Sequence, residues 1–201
     1  MRYVPLILLV LLVGCGTPTR VYDLSAAGPP PVGSAQHGSQ GPVIYVDRPT
    51  VAAYFDRTQM VTRTGTNRVS IHEFEVWSDP PGDLITRALV DDLAIRFGPD
   101  QVMATPTIRV PPPAWRISLD VTRFDVEEGD AVRGQPTPGT AILDARWALL
   151  REPGARPEQS RRVRIDLPVA DVSDATARVA ALRAAVAALA GQIAEAVAAG
   201  R

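Results

Sequence analysis

Trp115-Arg116-Ile117-Ser118-Leu119-Asp120-Val121-Thr122 alternates apolar and polar side chains without a break. Successive side chains of a β-strand point to opposite faces, so this octet has one dry face and one wet face. The alternation then slips by one residue, to Phe124 and Val126, as a β-bulge would cause. Two later runs repeat the pattern. Ala141, Leu143, Ala145, Trp147 and Leu149 form one apolar row; Val163, Ile165 and Leu167 form another, alternating with Arg162, Arg164 and Asp166. A polar connection at residues 127–139 and a loop rich in Arg, Pro and Gly join the three. The spacing predicts an antiparallel meander with one face turned to a core.

On the N-terminal side, residues 20–24 read as a short strand. Residues 25–42 are rich in Gly, Pro, Ala and Ser and read as a loop. His37-Gly38-Ser39-Gln40-Gly41 within it lacks the Gly-x-Ser-x-Gly spacing of a nucleophile elbow. Val43-Ile44-Tyr45-Val46 is continuously apolar, as expected of a strand covered on both faces. Residues 50–58 form a short connection, 59–63 a strand and 65–67 a turn. Residues 68–77 make a further strand, whose apolar positions shift from Val69 and Ile71 to Phe74 and Val76, a second bulge. A helix follows, capped by Ser78 or Asp79 with Pro80 in its first turn. Ile85, Ala88, Leu89, Leu93 and Phe97 share its apolar face, and Asp83, Arg87, Asp91 and Arg96 lie across from them. Gly98-Pro99 stops it, and residues 101–105 form another short strand. A last helix starts at Asp174, carries the stripe Val179, Leu182, Val186, Leu189, Ile193 and Val197, and ends at Gly200. Its many alanines suit close packing on a sheet. The expected fold is α/β: one mixed, mainly antiparallel twisted sheet of about six or seven strands, packed with two long helices.

The first residues set the compartment. An apolar run from Tyr3 to Val13 behind Arg2 is too short to cross a bilayer, which takes about 20 residues, and has the shape of a signal peptide. Leu12-Val13-Gly14-Cys15 resembles the bacterial lipobox, in which the Cys is lipidated and becomes the new N-terminus. The expected organisation is a lipoprotein signal peptide at 1–14, a lipid-anchored tether at 15–19 and a single domain at 20–201. Cys15 is the chain's one cysteine, so with its thiol acylated no disulfide or cysteine metal site remains. Two histidines, His37 and His72, lack the spacing of zinc ligands. No cofactor is expected beyond the covalent lipid. The net charge of −1 gives no sign of nucleic-acid binding. Asp120, Asp125, Glu127, Glu128, Asp144 and Asp166 fall on polar strand faces and loops, where solvation is the expected role, and an enzyme is not expected. Gly16 stands where resemblance to Gram-negative lipoproteins implies that an Asp would favour the inner membrane, so the outer membrane, facing the periplasm, is expected.

From Tyr22 onward the chain resembles the ABC-type transport auxiliary lipoproteins, the PqiC-like family. Carrying the resemblance are Tyr22 and Leu24, Val43-Ile44-Tyr45-Val46 leading to Val51-Ala52-Ala53-Tyr54-Phe55, Met60-Val61, and Trp77 ahead of Pro80. Leu89-Val90 with Leu93, Trp147-Ala148-Leu149-Leu150 and the terminal helix complete it. The sequence departs from the family at Ser78 and at Pro81-Gly82. The resemblance implies an outer-membrane subunit that docks the periplasmic tunnel protein of an MCE-type phospholipid transport system, with homo-oligomerisation, in some members as a ring. The alternative is a periplasm-facing carrier holding an acyl chain in an internal cavity. Val51, Tyr54, Phe55 and Trp77 are the candidate partner or self-assembly contacts, because aromatics on surface connections often mark contact sites; Tyr54 and Phe55 folding back over the sheet is the competing possibility.

Overall fold

A computed structural model describes residues 17–25, 42–106, 113–152 and 157–200. Residues 1–14, Cys15 and most of the loop at 25–42, with His37, lie outside them. The elements run β1 (Arg20–Tyr22), β2 (Ile44–Val46), β3 (Thr50–Val51), β4 (Gln59–Thr64), β5 (Arg68–Trp77), α1 (Pro81–Phe97), β6 (Val102–Ala104), β7 (Trp115–Glu128), β8 (Gly139–Arg151), β9 (Pro157–Val169) and α2 (Ala175–Ala199).

All the strands belong to one open mixed sheet built around β7. One edge of β7 pairs antiparallel with β8 along its whole length, and β8 pairs antiparallel with β9. The other edge takes three short segments in succession, all parallel to it. β2 lies beside Trp115 to Ile117, β3 beside Asp120 and Val121, and the end of β4 beside Val126 to Glu128. β6 extends the sheet from β2, while β5 and then β1 extend it from β4. The long pairings are antiparallel and the short ones parallel. The sheet has nine strands rather than six or seven. One of the nine, β3, falls within a stretch read as a connection, and its two residues are too few for an alternation to be read.

Both bulges stand where the apolar phase slips. Val121 faces Ala145 and Arg123 faces Asp144, leaving Thr122 as the extra residue. On β5 the register jumps so that Met60 faces His72 while Gln59 faces Val76. The apolar face of β5, however, is not the one under the helices: Ile71 is 48% exposed and Phe74 47%.

One hydrophobic cluster gathers Ile44 and Val46, the row Trp115, Ile117, Leu119 and Val121, Phe124 and Val126, the odd-numbered row of β8, and the buried faces of α1 and α2. These strand residues share one side of the sheet, so both helices lie on that side. They also pack on each other, with Arg183 of α2 gripping Asp92 of α1 at 2.5 and 2.7 Å. Leu84, Ile85, Leu89 and Leu93 of α1 and Leu189 and Ile193 of α2 are at most 1% exposed; each such side chain stabilises the fold by about 1.5–3 kcal/mol. By length and composition alone α2 could cross a membrane, yet its stripe is spent on the sheet and α1. Its N-cap is Asp174, which accepts from the Thr176 amide at 2.8 Å. The start of α1 differs from expectation. Pro80 is the N-cap and Pro81 the first helical residue, with no side-chain cap. Ser78 instead donates to Asp23, and Asp79 accepts from Arg87.

Two glycines test the packing. At Gly139, where β8 begins, a Cβ would come within 2.3 Å of Val172 and 2.8 Å of the Glu127 carbonyl oxygen. At Gly191, inside α2, a Cβ would meet only Arg96 at 3.8 Å. Gly139→Ala should therefore cost about 1–3 kcal/mol through overpacking. Gly191→Ala should add about 0.5–1 kcal/mol through helix propensity. Thermal melting of the two variants checks both signs.

Candidate functional site

The connection between β3 and β4 crosses β7 where its bulge interrupts the ladder. The Ala52 amide still donates to the Val121 carbonyl at 3.1 Å; beyond it the chain lifts away and Tyr54 and Phe55 divide between the two sides of the sheet. Phe55 turns inward at 2% exposure. It packs against Phe124 at 6.4 Å between ring centroids, and Phe124 in turn lies 6.1 Å from Trp77. Tyr54 meets Phe55 edge-on at 5.0 Å and sends its hydroxyl to the carboxylate of Asp125, to which it donates.

Asp125 is fully buried. Its second oxygen accepts from Arg123 Nη2 at 2.7 Å, and Arg63 Nη2 stands 3.7 Å from the oxygen that Tyr54 binds. Arg63 also lies over the Tyr54 ring, 5.2 Å from its centroid. Burial, the hydrogen bond to Asp125 and the charge of Asp125 push the Tyr54 hydroxyl up to about 12, so it stays a neutral donor. Burial works against the charge on Arg123, but Asp125 and Glu127 outweigh it and raise its pKa. A buried carboxylate costs several kcal/mol unless paired and hydrogen-bonded, and these partners meet that need. The arrangement is a latch that fastens the 52–58 connection onto β7.

This corrects part of the expectation. Phe55, at 2% exposure, takes the competing course of folding back over the sheet, and Trp77, at 6%, is a core side chain rather than contact surface. Apolar area outweighs location on a connection: turned inward, Phe55 packs against Phe124, and Phe124 against Trp77. Val51 and Tyr54 are half-buried against the same core. Asp125 and Asp144, read as solvated, are buried. Asp144 accepts from Arg162 at 2.8 and 3.1 Å, which, chiefly through those hydrogen bonds, holds its carboxyl below the usual range. Nothing in the sequence links Tyr54 to Asp125; they meet only because β3 and β4 both pair with β7.

A second polar cluster sits between the sheet and the first turn of α2. Arg178, 2% exposed, occupies a place on the buried stripe. It donates to the Val172 carbonyl at 2.9 Å, to Glu75 and to His72 Nε2 at 3.3 Å. His72 Nδ1 lies 3.3 Å from Glu75. A neutral ring protonated on Nδ1 meets both neighbours, donating to Glu75 and accepting from Arg178. Thr62 and Thr64 donate to the two oxygens of Glu128 beside it, at 3.1 and 2.8 Å. Burial and then the Arg178 charge hold the His72 pKa below its ordinary value of 6.5, against the pull of Glu75 and Glu128.

An open cleft of about 590 Å³ adjoins this cluster, lined by Thr64, Gly65, His72, Glu128, Ala131, Thr137, Val172 and Ser173 among others. Ser173 donates to Asp171 at 2.8 Å rather than to His72, so the pieces of a nucleophile–base pair are present but not assembled. Among the described residues no group of His, Asp and Glu is placed to hold a metal. The space between sheet and helices, lined by Phe55, Met60, Trp77, Phe124 and Leu182, measures about 10 Å³, roughly the room one water needs.

Tyr54→Phe, which strands a buried carboxylate oxygen, should cost about 1–3 kcal/mol, and Phe55→Ala about 3–5 kcal/mol, both read from denaturant unfolding. The pH dependence has a definite sign. His72 is favoured neutral in the folded chain, so its contribution is complete above 6.5 and is lost as pH falls below that value towards the lowered one. His72→Gln should therefore lose less melting temperature than the parent chain between pH 7 and about pH 5.

The sequence pattern of the ABC-type transport auxiliary lipoprotein component matches residues 22–194. No curated protein matches the chain. Among solved structures, an uncharacterized protein superposes with a TM-score of 0.63 at 15% identity, over 90% of this chain and 99% of its own. A DUF330 protein from Xanthomonas campestris gives 0.61 at 19% identity, over 88% and 89%. These two likenesses speak for the fold, and the sequence match covers nearly all of the domain built around β7. The chain belongs to the ABC-type transport auxiliary lipoprotein family.

Proposed function

We propose that this protein is an outer-membrane lipoprotein, anchored through acylated Cys15, that serves as the periplasmic docking or auxiliary subunit of an MCE-type phospholipid transport system. The observation that carries the reading is the family match over residues 22–194 standing directly behind a lipobox cysteine. Membrane anchoring follows from the lipoprotein family; Gly16 after the cysteine favours the outer membrane. The packing supports a role through surfaces. The described core holds a space of only about 10 Å³ where sheet meets helices, far below the 300 Å³ or more of a typical ligand pocket, so a carrier with an acyl chain there has no such support. Self-assembly, with a ring as one form, belongs to the same proposal and rests on the family resemblance. Val51 and Tyr54 contribute to contacts only through the edges they keep at the surface.

Cys15→Ser tests the anchor. The variant should persist as an unlipidated precursor and leave the outer-membrane fraction; one that still pellets with outer membrane after a high-salt wash would overturn the anchor. The docking role is tested by mixing the purified lipoprotein with the MCE-domain tunnel protein of its own system. Co-elution in size-exclusion chromatography is expected, and separate elution at micromolar concentrations of both overturns it.

A further inference from the structure

Three of the large apolar side chains exposed among the described residues gather at one edge of the sheet: Val21 on β1 at 64%, and Ile71 and Phe74 on β5 at 48% and 47%. Single exposed aliphatics are ordinary; these stand on adjacent strands, with half-buried Val76 opposite Val21. The register gives their direction. Ile71 faces Val61, Val21 faces Val76, and Val76 faces Gln59. Met60 and Thr62, which alternate with Gln59 and Val61, point into the core and at the Arg178 cluster. Val21, Val76 and Ile71 therefore lie on the side of the sheet turned away from the helices.

The place of this strip in the chain indicates what covers it. β1 is the edge strand, and residues 17–20 leading into it are exposed. From Cys15 to Arg20 an extended chain reaches at most about 18 Å. Of all the sheet, β1 and the neighbouring β5 are held nearest to an acylated Cys15. Exposed apolar side chains held beside a lipid anchor are placed to settle at the boundary of headgroups and acyl chains.

We propose that the Val21–Ile71–Phe74 strip is a membrane-contact surface that rests on the phospholipid headgroup layer of the leaflet holding the Cys15 lipid. The proposal builds on the lipid-anchor reading above and adds an orientation to it. The helix-free face at the β1–β5 edge lies on the bilayer, and the two helices face away from it. The strip is then a second, weaker membrane signal beside the acyl chains.

Site-specific photocrosslinking of the full-length chain in membranes tests it. p-Benzoylphenylalanine is placed at position 74, at position 71 in a second variant, and at exposed position 161 on β9 as control, with circular dichroism confirming each fold. The mass of the N-terminal peptide reports the acylation of Cys15 in the same samples. The expected result is a phospholipid adduct at 71 and 74 that is lost at 161. A crosslink from 71 and 74 to a second copy of the chain or to another protein overturns the proposal, because the strip is then a protein interface. No adduct at either position with Cys15 acylated overturns it and leaves the anchor standing. Phospholipid adducts with Cys15 unmodified support the strip and overturn the anchor; neither adduct nor acylation overturns both.

Discussion

The structure depends on satisfying both edges of one long strand. β7 spans Trp115–Glu128, and every backbone group along a buried strand needs a partner. One edge is served by β8 without interruption except at the bulge. The other edge is served by the chain from residue 44 to residue 64, which runs alongside in the same direction and pairs three times. The bulge at Thr122 falls between the second and third of these pairings. There the ladder opens, and the connection of residues 52–58 fills the opening with Phe55 on one side of the sheet and Tyr54 bound to Asp125 on the other. A buried carboxylate is a poor stabiliser in itself, but it accepts hydrogen bonds from both Tyr54 and Arg123 and so sets the position of a segment with little pairing of its own.

Arg178 does the corresponding work for α2. The helix lies on the sheet through aliphatic and alanine contacts, which are not directional. Its first turn is tied by a guanidinium that reaches Val172, Glu75 and His72. Glu75 is presented by the bulged part of β5, which gives the slip on that strand a structural purpose: it turns the polar residues of β5 towards α2 and leaves Ile71 and Phe74 outside. The polar cluster under the helix and the apolar strip on the opposite face are two results of the same register.

The division of the sheet into a covered face and a partly bare one bears on function. The covered face is filled, with space for about one water near Phe55 and Trp77. The opposite face leaves Ile71 and Phe74 about half exposed, and the proposed membrane contact rests on that difference.

Much of this was legible from residue types alone. The alternation at residues 115–122 and its two echoes specified the meander, because a strand half-buried on a core has period two. Both helices, both bulges and the strand at 43–46 were equally local signals. The pairing of β7 with β2, β3 and β4 was not legible, since parallel partners are chosen by distant packing and β3 is only two residues long. Nor were the burial of Trp77 and Asp125 or the place of Arg178, and for Phe55 surface and core were both open. Each depends on which segment lies opposite, as with Tyr54 and Asp125, 71 positions apart. The sequence by itself determined which residues alternate along the strands and which line the helix stripes, because those properties are set within a few neighbouring residues. Only the tertiary structure decided which face each strand turns to the helices and which charges are enclosed, because both follow from register, and register is settled by the whole core at once.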